Sequence, residues 1–138
     1  MGLFQSFNIS ASGMTAEQFR ADIIAQNLAN VNTTRTEDGT PYRRKVVAFQ
    51  ERGVNTFEQY LTQSKRRGGH IGNGVKVAEV GEDTTTDYIM ENGYVSYPNV
   101  NLVTEMTNLI DASRAYEANV TAFDASKAIA QAGLQVGK

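Results

Sequence analysis

The fold is decided by residues 98–138, which read PNVNLVTEMTNLIDASRAYEANVTAFDASKAIAQAGLQVGK. Apolar side chains recur there at alternating steps of four and three residues. With Ser113 and Lys127 as the only interruptions, the row is Leu102, Met106, Leu109, Ser113, Tyr116, Val120, Phe123, Lys127, Ala130 and Leu134. An average step of 3.5 residues keeps two left-handedly supercoiled helices in contact along one seam. The stretch therefore predicts a helix of roughly 35 residues, about 50 Å long. Asn99 or Asn101 caps its start, and Gly137 ends it.

The opposite face of this helix carries small residues where a helix with one partner would normally carry charge. They recur at steps of three and four, as Ala115, Ala118, Ala122, Ala125, Ile129 and Ala132. One interpretation is that alanine is simply the best helix former. The other is that a second helix packs closely here. Since a chain of 138 residues has few other helices, neighbouring subunits would then supply that partner.

Composition narrows the class of protein. The chain is 41% hydrophobic and 20% charged, with a net charge of −2, which excludes extensive disorder and argues against phosphate neutralisation as its main task. It has no cysteine, and therefore no disulfide or thiolate metal site. No stretch is long and apolar enough to span a bilayer, so we expect no membrane insertion. The N-terminus lacks the features of a secretory signal, so export, if it occurs, should involve no cleaved peptide of that kind.

A second amphipathic helix is predicted from Leu3 to about Val31. Its seam consists of Phe4, Phe7, Ala11, Met14, Ala21, Ala25 and Leu28, with Ile24 and Val31 beside it. Thr15 and Gln18 resemble a capping box, and Gly13 costs about 1 kcal/mol relative to alanine. We therefore expect a firm start near Thr15, with the preceding segment frayed until a partner holds it.

The middle of the chain reads as a small β unit. A polar loop leads to a strand at 42–50, Val75, Val77 and Val80 suggest a second strand, and Asn92-Gly93 signals a hairpin. We predict an α+β fold that is mainly α, with the two long helices packed as a coiled-coil-like pair. Residues 1–34 form the N-terminal helix and residues 99–138 the C-terminal heptad helix. Residues 35–98 form the β-rich insert, with a mobile loop at 52–74. Phe57, Tyr60 and Leu61 have the spacing of one helical turn within it.

The sequence offers no convergent catalytic constellation. His70 stands alone among glycines, and no nucleophile elbow, zinc-binding histidine pair or P-loop is present. Glu82 and Asp83 are adjacent on a strand, so they point to opposite faces and are expected to be solvated. We therefore predict no enzyme activity, no cofactor and no metal.

The charged clusters leave several interpretations open. Residues 43–45 (RRK) and 65–67 (KRR) could be solvated surface, could contact acidic patches of a neighbouring subunit, or could bind nucleic acid. The last needs both clusters on one face with readers nearby, and the negative net charge disfavours it. On the C-terminal helix, Asp111, Arg114 and Glu117 could pair along the helix or bridge to another chain.

Several stretches resemble the family of bacterial flagellar rod and hook axial proteins. Residues 25–34 (AQNLANVNTT) are similar to its asparagine-rich N-terminal signature, and residues 10–14 (SASGM) to its opening helix. Five further stretches resemble the proximal-rod members: residues 33–39 (TTRTEDG), 41–45 (PYRRK), 91–95 (ENGYV), 98–101 (PNVN) and 113–120 (SRAYEANV). The motif residues are Asn27, Asn30, Asn32, Arg114, Tyr116, Glu117 and Asn119.

The resemblance implies a structural subunit of the proximal rod, whose terminal helices line a helical tube that transmits torque from motor to hook. It implies passage through the flagellar type III export apparatus and assembly in the periplasmic space. The implied partners are copies of the chain, other proximal and distal rod proteins, and the adaptor that joins the rod to the membrane ring. The alternatives are a self-contained coiled-coil adaptor or secretion-associated protein and, less favoured, a nucleic-acid binder.

The apolar seams give the predicted contacts between subunits. Repetition of one head-to-tail contact without closure generates a helical filament. The predicted interface residues are Met14, Ile24, Leu28, Val31, Leu102, Met106, Leu109, Tyr116, Val120 and Phe123.

Overall fold

The chain begins and ends with a long helix, and four short strands lie between the two helices in sequence. The computed structural model describes residues 2–53, 61, 72–93 and 95–137. Helix α1 spans Leu3–Ala29 and helix α2 spans Leu102–Val136. Between them lie β1 (Lys45–Glu51), β2 (Val75–Glu82), β3 (Ile89–Glu91) and β4 (Val95–Tyr97). The predicted mainly α fold, with two long helices around a small β insert, is confirmed.

Helices α1 and α2 pack side by side in opposite directions. The rings of Phe7 and Phe123 lie 4.9 Å apart, and Asn27 bonds to Glu105 near the other end of the pair. Between these points, a Cβ atom on Gly13 would lie 2.5 Å from Oδ1 of Asn119. The missing side chain of Gly13 therefore allows the close approach of the two helices at this level.

The contact stripe of α2 agrees only in part with the predicted seam. In the first predicted row, Leu109, Phe123 and Ala130 are half-buried as predicted, whereas Leu102 and Tyr116 are exposed. The second row lies one residue earlier than predicted, at strict seven-residue spacing. It consists of Glu105, Ala112, Asn119 and Ser126, of which Glu105 and Ala112 are fully buried. In the predicted second row, Met106, Ser113, Lys127 and Leu134 are exposed.

The shift has a physical reason. Met106 and Leu134 fit the heptad pattern because they are apolar. The two helices instead make contact through small residues and through polar residues that are hydrogen-bonded. On α1 most buried positions are likewise small or polar, among them Ser10, Ser12, Gly13 and Ala16, and Ile24 is the large apolar exception. Several large apolar side chains of α2, such as Met106 and Leu134, consequently face outward.

The observed ends of the two helices differ slightly from the predicted ends. Helix α1 runs unbroken from Leu3, and the segment expected to fray is held against α2 by the Phe7–Phe123 contact. It ends at Ala29, two residues before the predicted end at Val31. Asn101 is the N-cap of α2, because its side chain accepts a hydrogen bond from the Thr104 amide at 3.1 Å.

Strands β1 and β2 form an antiparallel pair that lies against α1. The register runs from Lys45 opposite Glu82 to Glu51 opposite Val75, with an irregularity between Ala48 and Phe49. The first strand therefore begins three residues later than predicted. The Val75 amide donates to Ser12 Oγ on α1 at 3.1 Å. The preceding Gly74 has a φ of +99°, which a residue with a side chain rarely adopts.

Strands β3 and β4 form the predicted hairpin. Ile89 pairs with Tyr97 and Glu91 with Val95. Asn92 and Gly93 have φ values of 54° and 71°, the left-handed conformation that an Asn-Gly hairpin turn requires. Within the described chain, this hairpin packs on no other helix or strand. The predictions for Phe57, Tyr60, residues 65–67 and His70 lie outside the described residues.

Candidate assembly surfaces and the polar junction between helices and insert

A buried asparagine joins α1 to the insert. Asn27 is fully buried, and its side chain bonds to β1 in the manner of a neighbouring strand. Its Nδ2 donates to the Lys45 carbonyl and its Oδ1 accepts from the Lys45 amide, both at 2.9 Å. Oδ1 also accepts from the Tyr42 hydroxyl at 2.9 Å, and Nδ2 donates to Glu105 Oε2 at 3.0 Å. Both donors and both acceptor sites of this amide are therefore used.

A buried ion pair between Glu105 and Arg44 joins α2 to the segment just before β1. Glu105 is fully buried on α2, and its Oε1 accepts from Arg44 Nε at 2.6 Å. The Arg44 guanidinium also lies 3.5 Å from Asp83 Oδ2 at the end of β2. A buried carboxylate is tolerated when it is paired and hydrogen-bonded, and Glu105 meets both conditions.

Asn99, just before α2, completes the connection. Its Oδ1 accepts from the Arg44 amide at 2.8 Å, and its Nδ2 donates to the carbonyls of Asp83 and Thr86 at 3.0 and 3.1 Å. We call Asn27, Tyr42, Arg44, Asn99 and Glu105 the polar junction. Because its hydrogen bonds run to both helices and to the insert, the junction fixes the position of the insert on the helix pair.

Arg43 fastens the start of the β3–β4 hairpin. Its guanidinium lies 4.5 Å from the centre of the Tyr88 ring, a cation–π contact. It also donates to the Tyr88 hydroxyl at 3.1 Å and to the Asp83 carbonyl at 3.0 Å.

Two ionisable groups near the junction have shifted pKa values. Burial raises the pKa of the Tyr42 phenol, and the negative charges of Glu82 and Glu105 add to the effect. Hydrogen bonds from the Thr85 side chain and backbone lower the pKa of the Asp83 carboxyl to about 2. Since this pKa is depressed, the stabilisation by Asp83 is present above the ordinary carboxyl pKa and is lost as the pH falls towards about 2.

Two expectations from the sequence are wrong here. The sequence leaves Arg43 and Arg44 open as solvated surface, contacts with a neighbouring subunit or a nucleic-acid site, yet both bond within the chain. Asp83 is expected to be solvated, yet Thr85, Thr86 and Arg44 bond to it. The junction roles of Tyr42, Glu105 and Asn99 are not predicted by the sequence patterns. The signal that the sequence offers is the amide-rich stretch at 99–101, which contains Asn99.

The polar side chains of the junction are hydrogen-bonded to one another and to the backbone of the insert. Among residues 2–53, 61, 72–93 and 95–137, no group of three histidine, cysteine or acidic side chains is gathered where a metal could bind. In the same ranges, no helix is long and apolar enough to cross a membrane.

Large apolar side chains of the helix pair are exposed in two places. Leu102, Val103, Met106 and Ile110, here called the outer stripe, are 51% to 73% exposed. At 100° per residue they share one face, about 120° around α2 from Glu105 and Ala112. At the other end of the helix pair, the distal tip consists of Phe4, Ile129, Leu134 and Val136, which are 71% to 88% exposed. Clusters of exposed apolar side chains mark sites of interaction.

The predicted interface residues fall into three groups by exposure. Leu102 and Met106 belong to the outer stripe, and Tyr116 is also exposed. Ile24 is buried within the chain, so we leave it out of the interface proposed below. The half-buried residues are Met14, Leu28, Val31, Leu109, Val120 and Phe123.

The motif residues have several different structural roles. Asn27 lies in the polar junction, and Asn119 lies beside Gly13 where the two helices meet. Asn30 bonds to the Gln26 carbonyl near the end of α1. Asn32, Arg114, Tyr116 and Glu117 are exposed. Within the part of the chain that the structure describes, no ion pair joins Asp111, Arg114 and Glu117, so the expected pairing along the helix is not formed.

Both ends of the chain match models of flagellar rod families. Residues 7–35 match the family described as flagella basal body rod protein, and residues 91–136 match the C-terminal family of the flagellar basal body rod FlgEFG proteins. The two matched segments contain most of α1 and α2, together with β4. Helices and family matches together define a protein of the flagellar rod class.

Full-length relatives narrow the class. The chain is 39% identical to the flagellar basal-body rod protein FlgC of Bacillus subtilis over the whole of both chains. It is 41% identical to the Borreliella burgdorferi FlgC over 99% of this chain and 98% of that one. For the Aquifex aeolicus FlgC the identity is 38%, over 94% and 92%. The chain belongs to the FlgC family of flagellar basal-body rod proteins. It is a structural subunit of the rod, located in the flagellar basal body.

Proposed function

We propose that this subunit builds the proximal part of the rod, with its two helices packing on neighbouring subunits to form a helical tube that carries torque from motor to hook. The main observation in support of this proposal is the exposure of the outer stripe. Leu102, Val103, Met106 and Ile110 are 51% to 73% exposed in the described chain, whereas Glu105 and Ala112 on the other side of α2 are fully buried.

Burial of this surface would contribute enough free energy for assembly. Each fully buried aliphatic side chain contributes about 1.5–3 kcal/mol, and the outer stripe and the distal tip together offer eight large apolar side chains. Association itself costs about 4–15 kcal/mol. Contacts with several neighbours therefore offset that cost, whereas a single small contact would not.

The polar junction suits a subunit under torsional load. Its ion pair and hydrogen bonds hold the insert at one position on the helix pair. A force applied to the insert is then passed to the helices without bending a linker. Hydrogen bonds require particular donor and acceptor directions. A buried polar network with every partner satisfied therefore fixes the orientation of the insert more specifically than apolar packing would.

The proposed partners are copies of the chain, other proximal and distal rod proteins, and the adaptor between the rod and the membrane ring. We further propose that the chain reaches the periplasmic space unfolded, through the flagellar type III export apparatus and without a cleaved signal peptide. The absence of cysteine from the sequence supports this route, because no disulfide has to be opened for the chain to be threaded.

Electron cryo-microscopy of intact basal bodies tests the proposal. We expect density for α1 and α2 in the wall of the tube, with the outer stripe against a helix of an adjacent subunit. A reconstruction in which Val103 and Ile110 of every copy face solvent or the open lumen would contradict it.

A further inference from the structure

A groove with an apolar floor and a basic rim lies where α1, β1 and α2 meet. It has a volume of about 220 Å³. Ile23 of α1 with Val47 and Phe49 of β1 supply apolar lining, and Arg20 and Lys45 are among its charged residues. Typical small-molecule pockets measure about 300–1,000 Å³, so a groove of this size fits a few side chains of a protein better than a whole ligand.

The charge of the groove is positive once internal pairs are accounted for. Arg44 and Glu105 also line it, but they form the ion pair of the polar junction and neutralise each other. Arg20 pairs with Glu17 at 3.5 Å, so Lys45 is the cation of the lining that supplies the remaining positive charge. No ion pair with Lys45 is formed by the residues that the structure describes. An occupant should therefore present apolar side chains flanked by carboxylates.

The β3–β4 hairpin of this same chain has that chemistry. Residues directly opposite each other in an antiparallel pair share a face, so Ile89, Val95 and Tyr97 lie on one face together with Glu91. Ile89 and Val95 are exposed. Residues 87–97 contain Asp87 and Glu91 and no lysine or arginine.

Arg43 holds the start of the hairpin through Tyr88, but strands β3 and β4 contact few other parts of the chain. A two-stranded hairpin is marginally stable by itself in water, and this one packs on no other helix or strand of the described chain. In particular it makes no contact with α1 or β1, which form most of the groove. The complementary surfaces are thus both present on each molecule but are not joined within it.

We propose that the groove receives the β3–β4 hairpin of a second copy of this chain, with Ile89 and Val95 on the apolar floor and Glu91 beside Lys45. The contact joins two different surfaces, so it is head-to-tail and repeats from copy to copy around a ring or along a helix. The inference deepens the proposed rod function and rests on it, by naming one lateral contact between neighbouring copies.

Disulfide trapping tests the contact directly, because the natural chain has no cysteine. Val47 lines the groove and shares a face of β1 with Lys45, and Val95 is exposed on the hairpin. Val47→Cys and Val95→Cys chains are co-expressed in a motile host that lacks its own copy, and isolated basal bodies are mildly oxidised. We expect a disulfide-linked dimer containing one chain of each kind, since bonding requires Cα atoms about 4.4–6.8 Å apart. Gln18→Cys, an exposed site elsewhere on α1, replaces Val47→Cys in the control and should give no dimer.

Motility separates the two proposals. Cells that swim but give no Val47→Cys to Val95→Cys dimer would overturn the hairpin contact and leave the rod function standing. If the cysteine variants do not swim, charge reversal decides: Lys45→Glu and Glu91→Lys should each impair swimming, and the two together should restore it. Within one chain, Glu91→Lys is separated from the groove, so restoration arises only between copies. Combined variants that swim no better than the single ones would overturn the contact.

Discussion

Ile110→Asp is expected to abolish incorporation into the basal body and swimming without unfolding the chain. Ile110 lies in the outer stripe and is 53% exposed, so in the free chain an aspartate there remains solvated. Exposed substitutions of this kind change the free energy of unfolding by about 0.5 kcal/mol or less. In a buried contact between subunits the same carboxylate is unpaired, and desolvation of an ion costs several kcal/mol, on the order of a thousandfold in association.

The measurement pairs a swimming assay with urea denaturation of the purified chain. Gln18→Asp is the matched control, because it places the same charge at an exposed position on α1 and should swim normally. Phe123→Asp does not make the same test, since Phe123 contacts Phe7 and the substitution would separate α1 from α2. If Ile110→Asp chains assembled and swam like the control, the outer stripe would not be an interface.

Glu105→Ala is expected to lower the free energy of unfolding by about 2–4 kcal/mol. The substitution leaves Arg44 without its closest partner and Asn27 without one acceptor. Removal of one member of a buried ion pair costs about 3–5 kcal/mol, and the lower estimate here reflects the quarter of the Arg44 side chain that remains exposed. Urea denaturation followed by circular dichroism gives the change.

Two companion variants sharpen this test. Glu105→Gln keeps an oxygen that accepts from Arg44, so its loss should be smaller than that of Glu105→Ala. Glu117→Ala removes an exposed glutamate of the same helix and should change the stability by less than about 0.5 kcal/mol. Equal stabilities for Glu105→Ala and Glu117→Ala would show that the junction contributes little to the fold.

The elements of the fold were predictable because their signals are local. Heptad spacing located α2, and Asn92-Gly93 located the β3–β4 hairpin, where both residues have the positive φ that the turn requires. The strand boundaries were less accurate, because where pairing begins depends on contacts with α1. Lys45 starts β1 where the Asn27 side chain bonds to its amide and carbonyl, a partner 18 residues away in sequence.

The polar junction was not predictable from periodicity. A hydrophobic pattern assigns Met106 to the seam and Glu105 to the surface, and the structure reverses the two. Glu105 is buried because Arg44 and Asn27 converge on it, and nothing local to residues 102–109 indicates that convergence. The same reversal explains the outer stripe, because the apolar residues displaced from the contact with α1 are the ones left for a neighbour.

Thiol labelling at position 106 tests the central claim most directly. Met106→Cys introduces a single cysteine into the outer stripe, where the native side chain is 53% exposed. A maleimide should label the purified chain rapidly and the same chain in isolated basal bodies at least about tenfold more slowly, since a buried contact excludes the reagent. Gln18→Cys should react at similar rates in both. Equal labelling of Met106→Cys in the free chain and in the basal body would contradict the claim that neighbouring subunits cover this surface.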